Sequence, residues 1–161
     1  AEPLDDMALD ACFALIEQAD AAPEAPVKRK AIQFDGTLPA PLADYVGGGL
    51  SAVKWKPAGM GVKQAILKTS RGAQARLLYI PPGRDIPDHG HNGTEITLVL
   101  QGAFKDEMDR FGPGDVEICD AQVEHTPVAG DEMPCICLAV TDAPLRFKSL
   151  LPRIAQPFLR I

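Results

Sequence analysis

Between residues 62 and 141 apolar and polar positions alternate in short runs, and Gly or Pro closes most of them. Residues 62–67 stop at Ser70-Arg71-Gly72, residues 75–80 at Pro81-Pro82-Gly83, and residues 95–100 at Gln101-Gly102. Residues 53–56, ended by Pro57, belong to the same series. So do residues 103–107, residues 115–118 after Phe111-Gly112-Pro113-Gly114, and residues 135–141. Many short strands punctuated by turn formers predict an all-β sandwich or barrel and not an alternating α/β fold. Within residues 95–101, Glu95, Thr97, Val99 and Gln101 share one face, and Ile96, Leu98 and Leu100 the other. Both faces are largely apolar, which predicts a wall between a barrel interior and a second layer.

The two ends follow another rhythm. Residues 3–20 read as one helix: Pro3 suits its first turn, and Asp5 and Asp6 sit at the positive end of the helix dipole. Leu9, Phe13 and Ile16 form a narrow apolar face, and the Ala/Pro stretch at 21–26 ends the helix as a linker. A lone helix of this length is marginal in water. Its apolar face is therefore expected to dock on this domain, on a second copy in a homodimer, or on a partner. Residues 1–30 are thus a helix and linker, and residues 31–161 a single β domain. The tail, 145–161, carries Phe147, Leu150, Leu151, Ile154 and Phe158, with Pro152 and Pro157 interrupting, and is expected to pack on the barrel. The first residue is Ala, which is expected of a processed or truncated piece of something longer.

Composition narrows the field. A chain of 161 residues suits one domain with a real core. Its net charge of −6 argues against a nucleic-acid surface, and Lys28-Arg29-Lys30 is best taken as a solvated linker. No apolar run approaches the roughly 18–20 residues needed to cross a bilayer. Four irregularly spaced cysteines make no disulfide framework, so a reduced, cytoplasmic protein is expected. Cys119, Cys135 and Cys137 are expected to be packing residues. The run Gly47-Gly48-Gly49 follows no predicted strand and opens no predicted helix, so it is not taken as a phosphate loop.

All three histidines fall between positions 89 and 125. His89 and His91, two apart, point to the same face of an extended strand. Glu95 would lie about 13 Å from His91 on a straight strand. Asn92-Gly93 is a turn signal that can fold the chain back and bring the carboxylate beside the imidazoles. Three nitrogen ligands and one carboxylate suit Zn, Fe, Mn, Ni or Cu and leave room for water or substrate. Asp88 is a candidate acceptor behind His89.

The spacing of Gly83, His89, His91, Glu95 and Gly102 resembles the first cupin motif in full. The second cupin motif is present in part: Gly114-Asp115 opens a strand and His125 falls where a fourth ligand is expected, while Asp120 and Gln122 replace the usual Pro and Gly. This resemblance implies a single cupin, a double-stranded β-helix of jelly-roll type, binding one divalent metal through His89, His91, Glu95 and His125.

A closer resemblance is carried by residues 40–46, 62–67, 87–91, 98–104 and 124–128, and above all by residues 141–147 and 151–158. From Pro39 onward the chain is similar to the C-terminal domain of ChrR-type anti-sigma factors. In that family an N-terminal helical domain binds zinc and sequesters a sigma factor of the extracytoplasmic-function class, and the cupin helps release it under oxidative stress, singlet oxygen in particular. The N-terminal Cys-x-x-Cys of that family is missing here, and Cys12 stands alone. The resemblance implies a regulatory sensor, with zinc as the first expectation for the metal. The same ligand set also serves cupin enzymes such as metal-dependent dioxygenases, but no general base beyond the ligands is apparent, which favours regulation over catalysis.

Overall fold

In a computed structural model the alternating segments become twelve short strands among the described residues, which are 10, 11, 13–15, 36–69 and 72–159. By contact the chain divides into two units, Ala1–Ala31 and Ile32–Ile161. In the first unit Asp10, Ala11 and residues 13–15 are helical. Leu9, Cys12, Ile16 and the linker lie outside the described residues.

In the second unit six strands form one antiparallel sheet. In spatial order they are β1 (Lys56–Gly59), β2 (Val62–Ile66), β3 (Gln74–Ile80), β11 (Cys135–Thr141), β5 (Glu95–Gln101) and β8 (Val116–Cys119). Two three-stranded sheets complete the fold. One joins β12 (Leu145–Phe147), β4 (His89–His91) and β9 (Glu124–His125); the other joins β10 (Val128–Ala129), β6 (Phe104–Lys105) and β7 (Arg110–Phe111). The strands of these small sheets are too short for their ladders to run on into the large one. The expected barrel is therefore realised as a sandwich, with hydrogen bonding interrupted around it.

Strand alternation sets the core. Val62, Ile80, Val99, Cys135 and Cys137 of the large sheet pack on Phe104 and Ala129 of the β6 sheet. The opposite face of the large sheet buries Ala65 and Leu77, with Leu100 and Leu138 beside them, under Leu38, Ala43 and Val53. Both faces of β5 are thus in use, although Ile96, at its outer end, is exposed. The three described cysteines are buried, as packing residues should be.

The second layer is a helix that strand spacing had not suggested, α1 (Ala40–Val46). Pro41 falls in its first turn, and Gly47 ends it in the left-handed conformation (φ 84°), its N–H donating to the Ala43 carbonyl. The triple glycine is therefore a helix stop. Residues 53–56 also depart from expectation: the strand begins only at Lys56 and includes Pro57 on the sheet's outer edge. The tail forms α2 (Leu150–Leu159), which passes through both prolines. Pro152 falls in the first turn, where the lost N–H is not needed. The Gln156 side chain donates to the Leu145 carbonyl at 2.6 Å, but Leu150, Leu151 and Ile154 are exposed instead of packed.

Candidate metal centre

Strand register gathers the histidines. On β4, His89 stands directly opposite His125 of β9 on one side and Phe147 of β12 on the other. All three imidazoles are at most 2 % exposed, and a ligand nitrogen from each lies within 4.8 Å of the others. Gly90, between the two histidines, lies under the Arg146–Glu124 ion pair, where a Cβ would come within 2.9 Å of the Arg146 guanidinium and 3.1 Å of Glu124 Cγ.

Glu95 arrives by a different route from the expected one. β4 and β5 pair in different sheets, so Asn92-Gly93 makes no hairpin. The chain crosses from the small sheet to the large one, held by Thr94 N–H donating to Asp142 Oδ1 (2.7 Å) and by Asn92 Nδ2 donating to the Pro144 carbonyl (2.9 Å). A Cβ at Gly93 would overlap the Asp142 carboxylate, which explains the glycine. Glu95 Oε2 lies 3.9 Å from His91 Nδ1, and Oε1 accepts from the Thr97 hydroxyl (3.1 Å). The carboxylate stands beside His91 but outside the mutual group of three imidazoles.

Hydrogen bonds orient two of the rings. His89 Nδ1 donates to the Pro87 carbonyl (2.9 Å), and His125 Nδ1 donates to Asp106 Oδ2 (2.9 Å), with Glu117 Oε1 3.3 Å away. Both Nε2 atoms are left facing each other at 3.2 Å. His91 is buried with neither ring nitrogen hydrogen-bonded. A buried imidazole without partners is costly unless something else satisfies it. Two nitrogens at about 2.0–2.1 Å from one ion stand about 3.0–3.4 Å apart, which brackets the observed 3.2 Å. The donor set therefore fits a divalent transition metal, with carboxylate-backed histidine as its support.

Electrostatics follow from these contacts. Burial, with the neighbouring imidazoles, lowers His89 and His91 to about 4. Burial also lowers His125, but the Glu117 and Asp106 carboxylates outweigh it and raise the ring to about 9. Burial would lift Asp106, yet backbone N–H groups of Asp109 and Met108, the Glu117 side chain and His125 hold it at about 2. Burial raises Glu95 and Glu117, and pushes the Cys119 thiol up to about 12.

Two contributors had not been singled out, Asp106 and Glu117, and Cys119, expected to be a packing residue, joins them. Asp106 fixes His125, while Glu117 and Cys119, with His125, form a second group of possible ligand atoms. A signal for the last two exists on β8, where Val116 and Ile118 are exposed and Glu117 and Cys119 are buried. Cysteine strongly prefers interiors, so the Cys119 phase marks the inner face and carries Glu117 with it. Asp88 has another role than the expected one: its carboxylate meets Lys148 Nζ at 3.0 Å, and a backbone carbonyl sits behind His89 instead.

An antiparallel sandwich of one large sheet and two small ones, with its histidines drawn together inside, is the architecture of a cupin. The chain belongs to the ChrR cupin-like domain family, whose pattern it matches over residues 46–144. It is 64% identical over 127 residues to the anti-sigma-E factor ChrR of Cereibacter sphaeroides, covering 79% of this chain and 60% of that protein. The chain thus spans less than two thirds of that relative. In the crystal structure of Rhodobacter sphaeroides SigE in complex with the anti-sigma ChrR, a matching chain is 53% identical with a TM-score of 0.65. That match covers 84% of this chain and 77% of the other. An RmlC-like cupin from Ralstonia eutropha, 24% identical with a TM-score of 0.55, shares the fold over 62% of this chain and 69% of its own. Among the described residues no helix is long and apolar enough to cross a membrane.

Proposed function

We propose that this chain is the sensor part of a ChrR-type anti-sigma factor, acting in the cytoplasm. Residues 31–161 form its cupin domain and hold one divalent transition metal, zinc first, through His89, His91, His125 and Glu95. Residues 1–30 are the end of the helical region by which such a protein holds a sigma factor of the extracytoplasmic-function class. Oxidative stress, singlet oxygen in particular, acts at the metal site and loosens that hold. The observation that carries the metal assignment is the convergence of three buried imidazoles, with neither ring nitrogen of His91 hydrogen-bonded. The similarity to ChrR carries the regulatory half.

A bound ion would supply a cross-link and a Lewis acid. The chain's own residues do the rest: Asp106 and the Pro87 carbonyl aim two rings, and the large sheet supplies Glu95. Because β4 and β9 belong to one sheet and β5 to another, the four ligands tie the two sheets together. Losing Glu95 would free the large sheet from the site, whereas His125 stays paired with His89 in the β4–β9 ladder.

Metal content by plasma mass spectrometry, on protein purified without added metal, tests the site. About one zinc per chain is expected, lost in the His89→Ala/His91→Ala variant. No metal in the parent protein would overturn the assignment. Iron, manganese, copper or nickel, with metal-dependent oxygen uptake, would favour a dioxygenase instead. Sigma-factor release from the full-length protein under singlet oxygen tests the regulatory half: Glu95→Ala and His125→Ala should alter it, and unchanged release would sink the sensor reading.

A further inference from the structure

The histidine cluster opens into a cavity of about 740 Å³. A metal ion with a few waters would fill little of that space, which falls within the roughly 300–1,000 Å³ of small-molecule sites. Its wall is mainly aliphatic and aromatic, with Val62, Leu78 and Ile80 of the large sheet facing Phe104 and Phe147. Leu150 and Leu151 of α2 also line it, although they are 71% and 81% exposed. Large apolar side chains that edge a cavity and still face water leave apolar surface for an occupant to cover.

The polar lining gathers on the histidine side, where Arg76, Glu95, Thr97 and Glu117 stand with His89 and His125. His89 meets His125 at 3.2 Å, His125 meets Glu117 at 3.3 Å, and Thr97 donates to Glu95 at 3.1 Å. With a divalent ion held by three neutral imidazoles and one carboxylate, the coordinating group keeps a net positive charge. An anionic oxygen donor complements it, and an apolar chain complements the wall.

We propose that the cavity binds a long-chain monocarboxylate, with its carboxylate at the metal and its hydrocarbon chain running along the apolar wall to the rim of α2. This deepens the metal assignment above and rests on it for the head group. The cavity's lining runs from exposed Leu150 and Leu151 to side chains buried inside the sandwich, so it suits a slender molecule better than a second folded surface.

The test is a fluorescence titration of the zinc-loaded full chain with cis-parinaric acid, followed by displacement with saturated acids from octanoate to stearate. Zinc content is measured on the same samples. Saturable binding that palmitate displaces is expected, with methyl palmitate at least about tenfold weaker. Ala58→Phe, which would fill the cavity from β1, and Leu151→Glu, at the exposed rim, should each weaken binding about tenfold with zinc content unchanged. Leu151→Glu changes an exposed residue, so it keeps the test open should Ala58→Phe fold poorly. Zinc retained with no probe binding would overturn the lipid proposal and leave the metal assignment standing. Equal affinity for acid and ester, or for the parent and both variants, would also overturn it. A protein without zinc that bound acid and ester alike would fail both the metal assignment and the head-group placement.

Discussion

His125 holds the most information per atom at this site. Its Nδ1–H points to two buried carboxylates while its Nε2 faces His89, so without an ion the ring keeps its proton up to about pH 9. A metal at Nε2 must displace that proton, whereas His89 and His91, lowered to about 4, have none to lose at neutral pH. Zinc binding at pH 7.5 should therefore release about one proton per chain, read by calorimetry in buffers of different ionisation enthalpy. The same ring sets a stability window in the metal-free protein. Its folded value lies above the ordinary 6.5, so its contribution is complete below pH 6.5 and is lost as pH rises through 9. The lowered His89 and His91 act oppositely, their contribution being lost as pH falls from 6.5 through 4. Urea melts of the metal-free protein should show stability falling between pH 6.5 and 9. The His125→Gln variant should lack that part of the decline, and an identical slope in both would refute the assignment.

Elements place these residues through register and through glycines. The pairing of β4 with β9 sets His89 against His125, although 36 residues separate them. Gly102 shows how narrow the tolerance is at the end of β5. It sits at φ 69°, and a Cβ there would lie 2.5 Å from the Pro134 carbonyl and 3.1 Å from the Cys135 Cα, backbone atoms at the point where the chain enters β11. Gly102→Ala should therefore cost at least about 2 kcal/mol in equilibrium unfolding, combining left-handed strain with a clash the backbone cannot absorb. A change within about 0.5 kcal/mol would show that the β5–β11 junction is loose. The inverted polarity of β8 belongs to this scale too. Exposed Val116 and Ile118 are the cost of bringing Glu117 and Cys119 inside, next to the site.

For the whole molecule, the division at Ala31 makes a direct prediction. A chain of residues 32–161 should fold alone, with a melting temperature within a few degrees of the parent and the same zinc content, because the members of both hydrophobic clusters among the described residues lie within it. A melting temperature lower by about 10 °C or more would mean that residues 1–31 are part of the domain's core.

At this scale the limits of sequence reading become clear. Alternation and Gly/Pro punctuation identified the long strands at 62–67, 75–80, 95–100 and 135–141, since a strand with buried faces must repeat every two residues. Strands of two or three residues, such as β7, β9, β10 and β12, are too short to show any period, and α1 was hidden by its prolines and small residues. Motif spacing alone brought His89, His91, Glu95 and His125 into one hypothesis. The alternation on β8 carries the burial of Glu117 and Cys119, but that they and Asp106 stand around His125 was decided by tertiary structure. Those residues come from β8 and the loop after β6, and their placement depends on which sheets face each other. Pairing between distant strands and packing of one sheet on another are relations between segments, and no local pattern within one segment records them.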